Sequence, residues 1–277
     1  MAFTAVLFGL VSAVTWGAGD FSGGMAVKRT NPYGVVISAH VMSLVLMAAL
    51  ALLFGEQIPP FSDWLWGGAA GLCGGIGLAL LYRALATGQM SIAAPVSALV
   101  AASLPVFVSA VSDGLPRLVT LAGFALALTA VWLISGGIGI ELKVRHLYLP
   151  VVAGLTFGAF FIFIHYGSST SVFWTLAATR VTSISGLLGY CLISGEDWRP
   201  TSDSWGWIAL SSVLDAAGNT FYSLSARMGR MDVAAVLGSL YPGSTVLLAW
   251  FILKERISRV QAFGILIALA AIVLITI

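Results

Sequence analysis

Apolar residues run along the whole chain in blocks, separated by short polar or charged breaks. The blocks fall at roughly 3–26, 33–55, 64–87, 92–112, 118–140, 147–167, 171–194, 204–226, 233–253 and 259–277. A bilayer core of roughly 30 Å is crossed by about 20 apolar residues of helix, so this pattern predicts ten transmembrane helices and an all-α, polytopic membrane protein. The breaks carry turn formers and charges: KRTNP at 28–32, GEQIPPFSD at 55–63, ATGQMS at 86–91, SDGLPR at 112–117, ELKVRH at 141–146, GEDWRPTSD at 195–203, RMGRMD at 227–232 and KERISR at 254–259. The remaining junction, HYGSSTS at 165–171, has no charged residue other than a histidine. The first block starts at residue 3 without a positive n-region and is about 25 residues long, too long for a signal h-region, so it reads as a retained helix.

The blocks repeat. A shift of 141 positions lays Thr15, Gly17 and Ala18 on Thr156, Gly158 and Ala159, Trp64 and Trp66 on Trp205 and Trp207, and Gly77 on Gly218. In the same register Gly88, Met90, Ala93 and Ala94 meet Gly229, Met231, Ala234 and Ala235, and GFALALTAVWLI from Gly123 meets GILIALAAIVLI from Gly264. So many matches in one register, a Trp-x-Trp pair among them, point to duplication. Residues 1–140 and 141–277 are therefore expected to be two five-helix repeats. Five is odd and consecutive spans alternate in direction, so the second repeat is expected upside down relative to the first, enclosing a central cavity suited to alternating access.

Composition agrees with this picture and narrows the function classes. Of 277 residues, 59% are hydrophobic and 9% charged, and mean hydropathy is +1.01, far from the roughly 25% charge of soluble domains. The net charge of +2 is spread over segment ends, with no basic and aromatic surface for nucleic acid. Cys73 and Cys191 each lie in an apolar run without zinc-like or disulfide-framework spacing and read as buried free thiols. No HExxH, GxSxG or GxxxxGK[ST] occurs, so the chain reads as a non-enzyme without metal, cofactor or ATP drive. Nothing resembles a channel selectivity filter.

The motif YRALATGQMSIAAPVSAL from Tyr82, its partner FYSLSARMGRMDVAAVLGSLYPGSTVLLAWFILKERIS from Phe221 and the TWGAGDF of the first helix resemble the EamA-type drug/metabolite transporter superfamily over nearly the whole chain. The Gly-Glu-Arg pattern usual after the fourth helix of each copy reads SDGLPR and LKER here. The resemblance implies a ten-helix secondary transporter of small polar metabolites in the cell (inner or plasma) membrane, with a cavity lined mainly by the first, third and fourth helices of each repeat. Amino-acid export is the expected activity; drugs or hydrophobic cations, sugars, and a channel are the alternatives. The expected partners are a small-molecule substrate, the lipid bilayer and protons as a candidate coupling ion, with the protein a monomer. The resemblance implies both termini in the cytoplasm. The count of Lys28, Arg29, Arg83, Lys143, Arg145, Arg199, Lys254, Arg256 and Arg259 against Arg117, Arg227 and Arg230 favours the opposite orientation.

Among the ionisable groups inside spans five stand out: Asp20, His40, His165, Arg180 and Asp215. Charges at membrane depth face a bundle interior or a wet cavity and are functional candidates. Asp20, among Gly17, Gly19, Gly23 and Gly24, is expected either to border the cavity, binding a cationic group or a proton, or to hydrogen-bond locally to Ser22 or a neighbouring helix. Asp215, Asn219 and Tyr222 share one face of the eighth helix. They are candidate substrate contacts, and Asp215 is also the expected partner of Arg180 in a structural ion pair. Trp16, Tyr82 and Tyr241 are candidate rings of the pocket, against a reading as packed or lipid-facing aromatics. Pro105 and Pro242 are expected to kink the fourth and ninth helices and free backbone carbonyls for gating or ligand contact. Gly67, Gly71 and Gly75 read as helix packing, and Trp64, Trp66, Trp205 and Trp207 as interfacial residues.

Overall fold

A computed structural model describes residues 3–86, 90–134, 144–254 and 256–276, with side chains for 3–84, 96–134, 147–254 and 256–275. The expected repeat boundary at 140/141, Gly88, Lys143, Glu255, and the side chains of Met90, Ala93, Ala94 and Arg145 lie outside these residues. The described chain holds α1 (Phe3–Val27), α2 (Pro32–Leu53), α3 (Phe61–Ala86), α4 (Met90–Ser112), α5 (Leu118–Ile134), α6 (Val144–Gly167), α7 (Val172–Ser194), α8 (Trp205–Met228), α9 (Met231–Gly238), α10 (Tyr241–Leu253) and α11 (Arg259–Thr276), and no strand.

Each expected block carries helix, and among the described residues six stretches are long and apolar enough to cross a bilayer: α1, α2, most of α3 and of α6, α7, and the run Met231–Leu253. The apolar stretches Val96–Ser112, Leu118–Ile134 and Arg259–Ile275 are shorter, while α8 carries Ser211, Ser212, Asp215 and Asn219 along its length.

Local chemistry sets the helix ends. Asn31 caps α2 by accepting from the Gly34 N–H at 2.7 Å, with Pro32 in the first turn where its missing N–H is harmless. Ser171 caps α7 in the same way through the Trp174 N–H, and Gly195 closes it at φ 73°. The ninth block breaks at Ser239–Leu240 and restarts with Pro242 in the first turn of α10. α4, by contrast, continues as helix past Pro105. Pro150, to which no role was assigned, lies inside α6.

The helices pair reciprocally. α1 packs chiefly on α8, and α6, the repeat equivalent of α1, on α3, the equivalent of α8; α4 packs on α6, and α9 and α10 on α1. α2 meets its own equivalent α7, and α5 meets α11. Side chains follow the same exchange: a Cβ on Gly218 would collide with the Trp16 indole, and one on Gly77 with the ring of Phe157, which stands 141 positions after Trp16.

Two loop clamps tie the repeats together. The Glu56 carboxylate, in the α2–α3 loop, accepts from the Ser171 hydroxyl and from the Val172 and Phe173 N–H groups at 3.2 and 2.9 Å, at the positive end of α7. Reciprocally, the α7–α8 loop meets the α1–α2 loop. There Arg29 Nη1 donates to the Asp203 carbonyl at 3.0 Å, and the Thr201 hydroxyl donates to the Arg29 carbonyl at 3.2 Å. Glu56→Ala is expected to remove about 2 kcal/mol, the worth of a charge-assisted hydrogen bond, seen as a lower melting temperature of the detergent-purified protein. Thr201→Ala, at an exposed contact, should shift it far less.

Candidate functional site

A cavity of about 70 Å³ lies between α1, α2, α3, α4, α6, α7, α8 and the start of α10. Of the residues expected to touch substrate, Trp16, Asp20, Asp215, Asn219 and Tyr241 line it. Tyr82 and Tyr222 do not. Tyr82, 2% exposed, runs its hydroxyl against Gly23 and hydrogen-bonds Ser211. Tyr222, fully buried, donates to the Phe161 carbonyl at 3.1 Å and stacks on the Phe161 ring at 4.7 Å. Both hold the wall from behind.

The polar side of the cavity is a hydrogen-bonded chain centred on Arg180, which is 4% exposed. Its Nη2 donates to Asp215 Oδ2 at 2.7 Å, its Nε to the Ser43 hydroxyl at 3.0 Å, and its Nη1 lies 3.0 Å from His40 Nε2. A guanidinium only donates, so His40 Nε2 accepts. The ring is then the neutral Nδ1–H tautomer, which donates to the Ser183 hydroxyl at 2.8 Å. Asn219 Nδ2 donates to the Asp215 carbonyl at 2.8 Å and to Oδ2 at 3.1 Å. Asp215 thus spends one oxygen on both Arg180 and Asn219.

Asp20 stands apart from this chain. Among the described residues no hydrogen bond reaches its carboxylate, and the Ser22 hydroxyl expected as a local partner donates to the Ala18 carbonyl instead, at 2.8 Å. The charge of Asp215 acts on it across the cavity. Asp20 is placed here because the glycines of its helix admit three neighbours: Gly17 lies against the Tyr241 carbonyl of α10, Gly19 against the Asp215 backbone of α8 and Gly23 against Tyr82 of α3. Two carboxyl groups, Asp20 and Asp215, and one guanidinium, Arg180, thus face the cavity.

The opposite wall is apolar, and it occupies the repeat-equivalent positions. Adding or subtracting 141 takes Asp20 to Phe161, Asp215 to Gly74, Asn219 to Leu78 and Trp16 to Phe157, and all eight residues line the cavity. Trp16 stacks on Phe161 at 5.3 Å. Repeat symmetry therefore builds the cavity, and side-chain choice makes it two-faced.

Sequence reasoning marked His40 as an intramembrane ionisable group without giving it a role, and it missed Ser43, Ser183 and the Phe157–Phe161 wall. His40 and Arg180 are separated by 140 positions, one short of the repeat shift. On α2 and α7, which cross each other as equivalents, that separation brings two residues face to face. Pro105 and Pro242 do not line the cavity. Its floor near α10 is the Tyr241 ring, whose hydroxyl hydrogen-bonds Ser97.

The amino-acid sequence matches the EamA-like transporter family over residues 3–136 and again over residues 146–277. A search of curated proteins finds no match. Among solved structures, the fold is similar to the crystal structure of a protein with a TM-score of 0.80 at 16% identity, covering 100% of this chain and 98% of the other. At that identity the likeness speaks of fold alone.

Proposed function

Since the chain belongs to the EamA-like transporter family, and so is a multi-pass membrane protein of a small-molecule transporter family, we propose that it is a secondary, non-ATP-driven carrier that exports amino acids across the cell membrane by alternating access. The observation that carries the reading is the two-faced cavity: Asp20, Asp215, Asn219 and Arg180 on one side, Phe157, Phe161 and Leu78 on the other. An α-ammonium suits the unpartnered Asp20 carboxylate. Three of the five guanidinium N–H groups of Arg180 are spent on Ser43, His40 and Asp215, leaving two for a carboxylate. The aromatic wall suits an apolar side chain. In this reading residues 1–140 and 141–277 are inverted repeats, supported by the reciprocal helix pairing, and rocking one against the other exposes the site to each side in turn.

A second reading is favoured by one observation, the Asp20 carboxyl without a hydrogen-bond partner among the described residues, beside aromatic rings: a hydrophobic cation without a carboxylate, held by Asp20 and by ring faces. Counterflow in proteoliposomes separates the two. With radiolabelled leucine or phenylalanine inside and out, uptake is expected to saturate and to be trans-stimulated. If none of the common amino acids exchanges and a lipophilic amine does, the second reading replaces the first.

A further inference from the structure

Beside the central cavity lies a larger groove of about 290 Å³ on the outer face of the bundle, between α3 and α7. Its sides are apolar, with Leu72, Ile76 and Leu80 on α3 and Leu187 on α7, and Leu72 and Ile76 are each nearly half exposed. Its mouth is polar. Arg83 in the last turn of α3 donates from Nη1 to the Tyr33 hydroxyl at 3.3 Å, and the Tyr33 ring lies 5.4 Å from that of Tyr190. Tyr33 opens α2 and Tyr190 closes α7, so the polar mouth sits where three helices reach one membrane surface. From Arg83 down to Leu72 the groove follows eleven residues of helix, about 16 Å at 1.5 Å per residue. Its inner edge is Gly75 and Ser183, which also line the central cavity.

We propose that this groove binds one membrane phospholipid, with the phosphate on Arg83 and Tyr33 and one acyl tail laid between α3 and α7 as far as Gly75 and Ser183. Three features select this occupant. The mouth presents a guanidinium with two tyrosine hydroxyls at headgroup depth, the complement of a phosphate. The walls are apolar for about the length of a tail. The long axis runs along the helices, as lipid tails do. The tail ends against the outside of the Gly75–Ser183 seam, which α3 and α7 close themselves, a Cβ on Gly75 overlapping the Ser183 hydroxyl. The proposal does not depend on the identity of the transported substrate.

Native mass spectrometry of the detergent-purified full chain tests it, with phosphatidylglycerol and a diacylglycerol of the same tails as probes. The wild type is expected to retain one phosphatidylglycerol per chain and to retain diacylglycerol roughly tenfold less, the factor of one charge-assisted hydrogen bond. Arg83→Gln, at an exposed position, should bring phosphatidylglycerol down to the diacylglycerol level, while Arg83→Lys should keep most of it. Gly186→Leu should exclude both lipids, because a Cβ there projects into the groove and meets only the Leu72 Cδ2 at 3.0 Å. Equal retention of the two lipids by the wild type overturns the proposal. So does unchanged phosphatidylglycerol in both Arg83→Gln and Gly186→Leu, or displacement of the lipid by inorganic phosphate alone.

Discussion

Arg180→Ala is expected to lower stability by about 3 kcal/mol, near the bottom of the range for breaking a buried ion pair, because Asp215 keeps 25% of its side chain exposed. The substitution strands several groups at once. Asp215 loses its cation, His40 loses the N–H that fixes its tautomer, and Ser43 loses a donor, all at membrane depth where the alternative solvent is hydrocarbon. Arg180→Lys should recover little, since one ammonium cannot reproduce three directed bonds of a planar fork. The measurement is thermal unfolding followed by tryptophan fluorescence, together with the yield of monodisperse protein. A variant that melts with the wild type but no longer binds substrate would move Arg180 from the framework into the binding site proper.

Asp20→Asn should do the reverse. Nothing in the fold leans on this carboxylate, so the isosteric amide is expected to leave the melting temperature unchanged or raise it by a degree or two. Transport of an amine-bearing substrate should fall about a hundredfold in kcat/KM, the size of losing one buried charge partner at about 3 kcal/mol. The pair of variants forms a crossed test: one lowers stability and the other lowers transport. If Asp20→Asn carries substrate at the wild-type rate with an unchanged pH profile, the cavity is not read by its charge, and the amine-binding proposal fails.

Much of the fold was legible because a bilayer imposes one period on the chain: long apolar runs must be helices, and their breaks must carry the charges. The duplication was legible because glycine positions are held by contacts with large rings that recur in each copy, such as Gly77 on Phe157 and Gly218 on Trp16. The break in the ninth block was half legible. Pro242 announced it, but so did Pro105, and α4 runs on through that residue. The difference is local: Gly238 and Gly243 flank the break before α10, whereas alanine, serine, leucine and valine surround Pro105.

The site was legible where charge forced it. Arg180 and Asp215 each need a partner at depth, and each is the other's. Tyr222 shows where helical periodicity stops informing: it shares a face with Asp215 and Asn219, yet one turn on that face has passed the cavity rim and packs on Phe161 of α6. The aromatic wall was invisible as such, because Phe157, Phe160 and Phe161 sit in a run of apolar residues whose orientation only the packing of α6 on α3 and α4 decides.

The exchange of Asp20 for Phe161 and of Asp215 for Gly74 between equivalent positions has a thermodynamic consequence. If the two copies were chemically identical, turning the protein inside out would map the molecule onto itself, and both facings would be equally populated at rest. Here the operation maps a carboxylate onto a benzene ring. Under the proposed alternating access the two facings would be distinct species of unequal free energy, and the unliganded carrier would wait with its mouth preferentially toward one compartment.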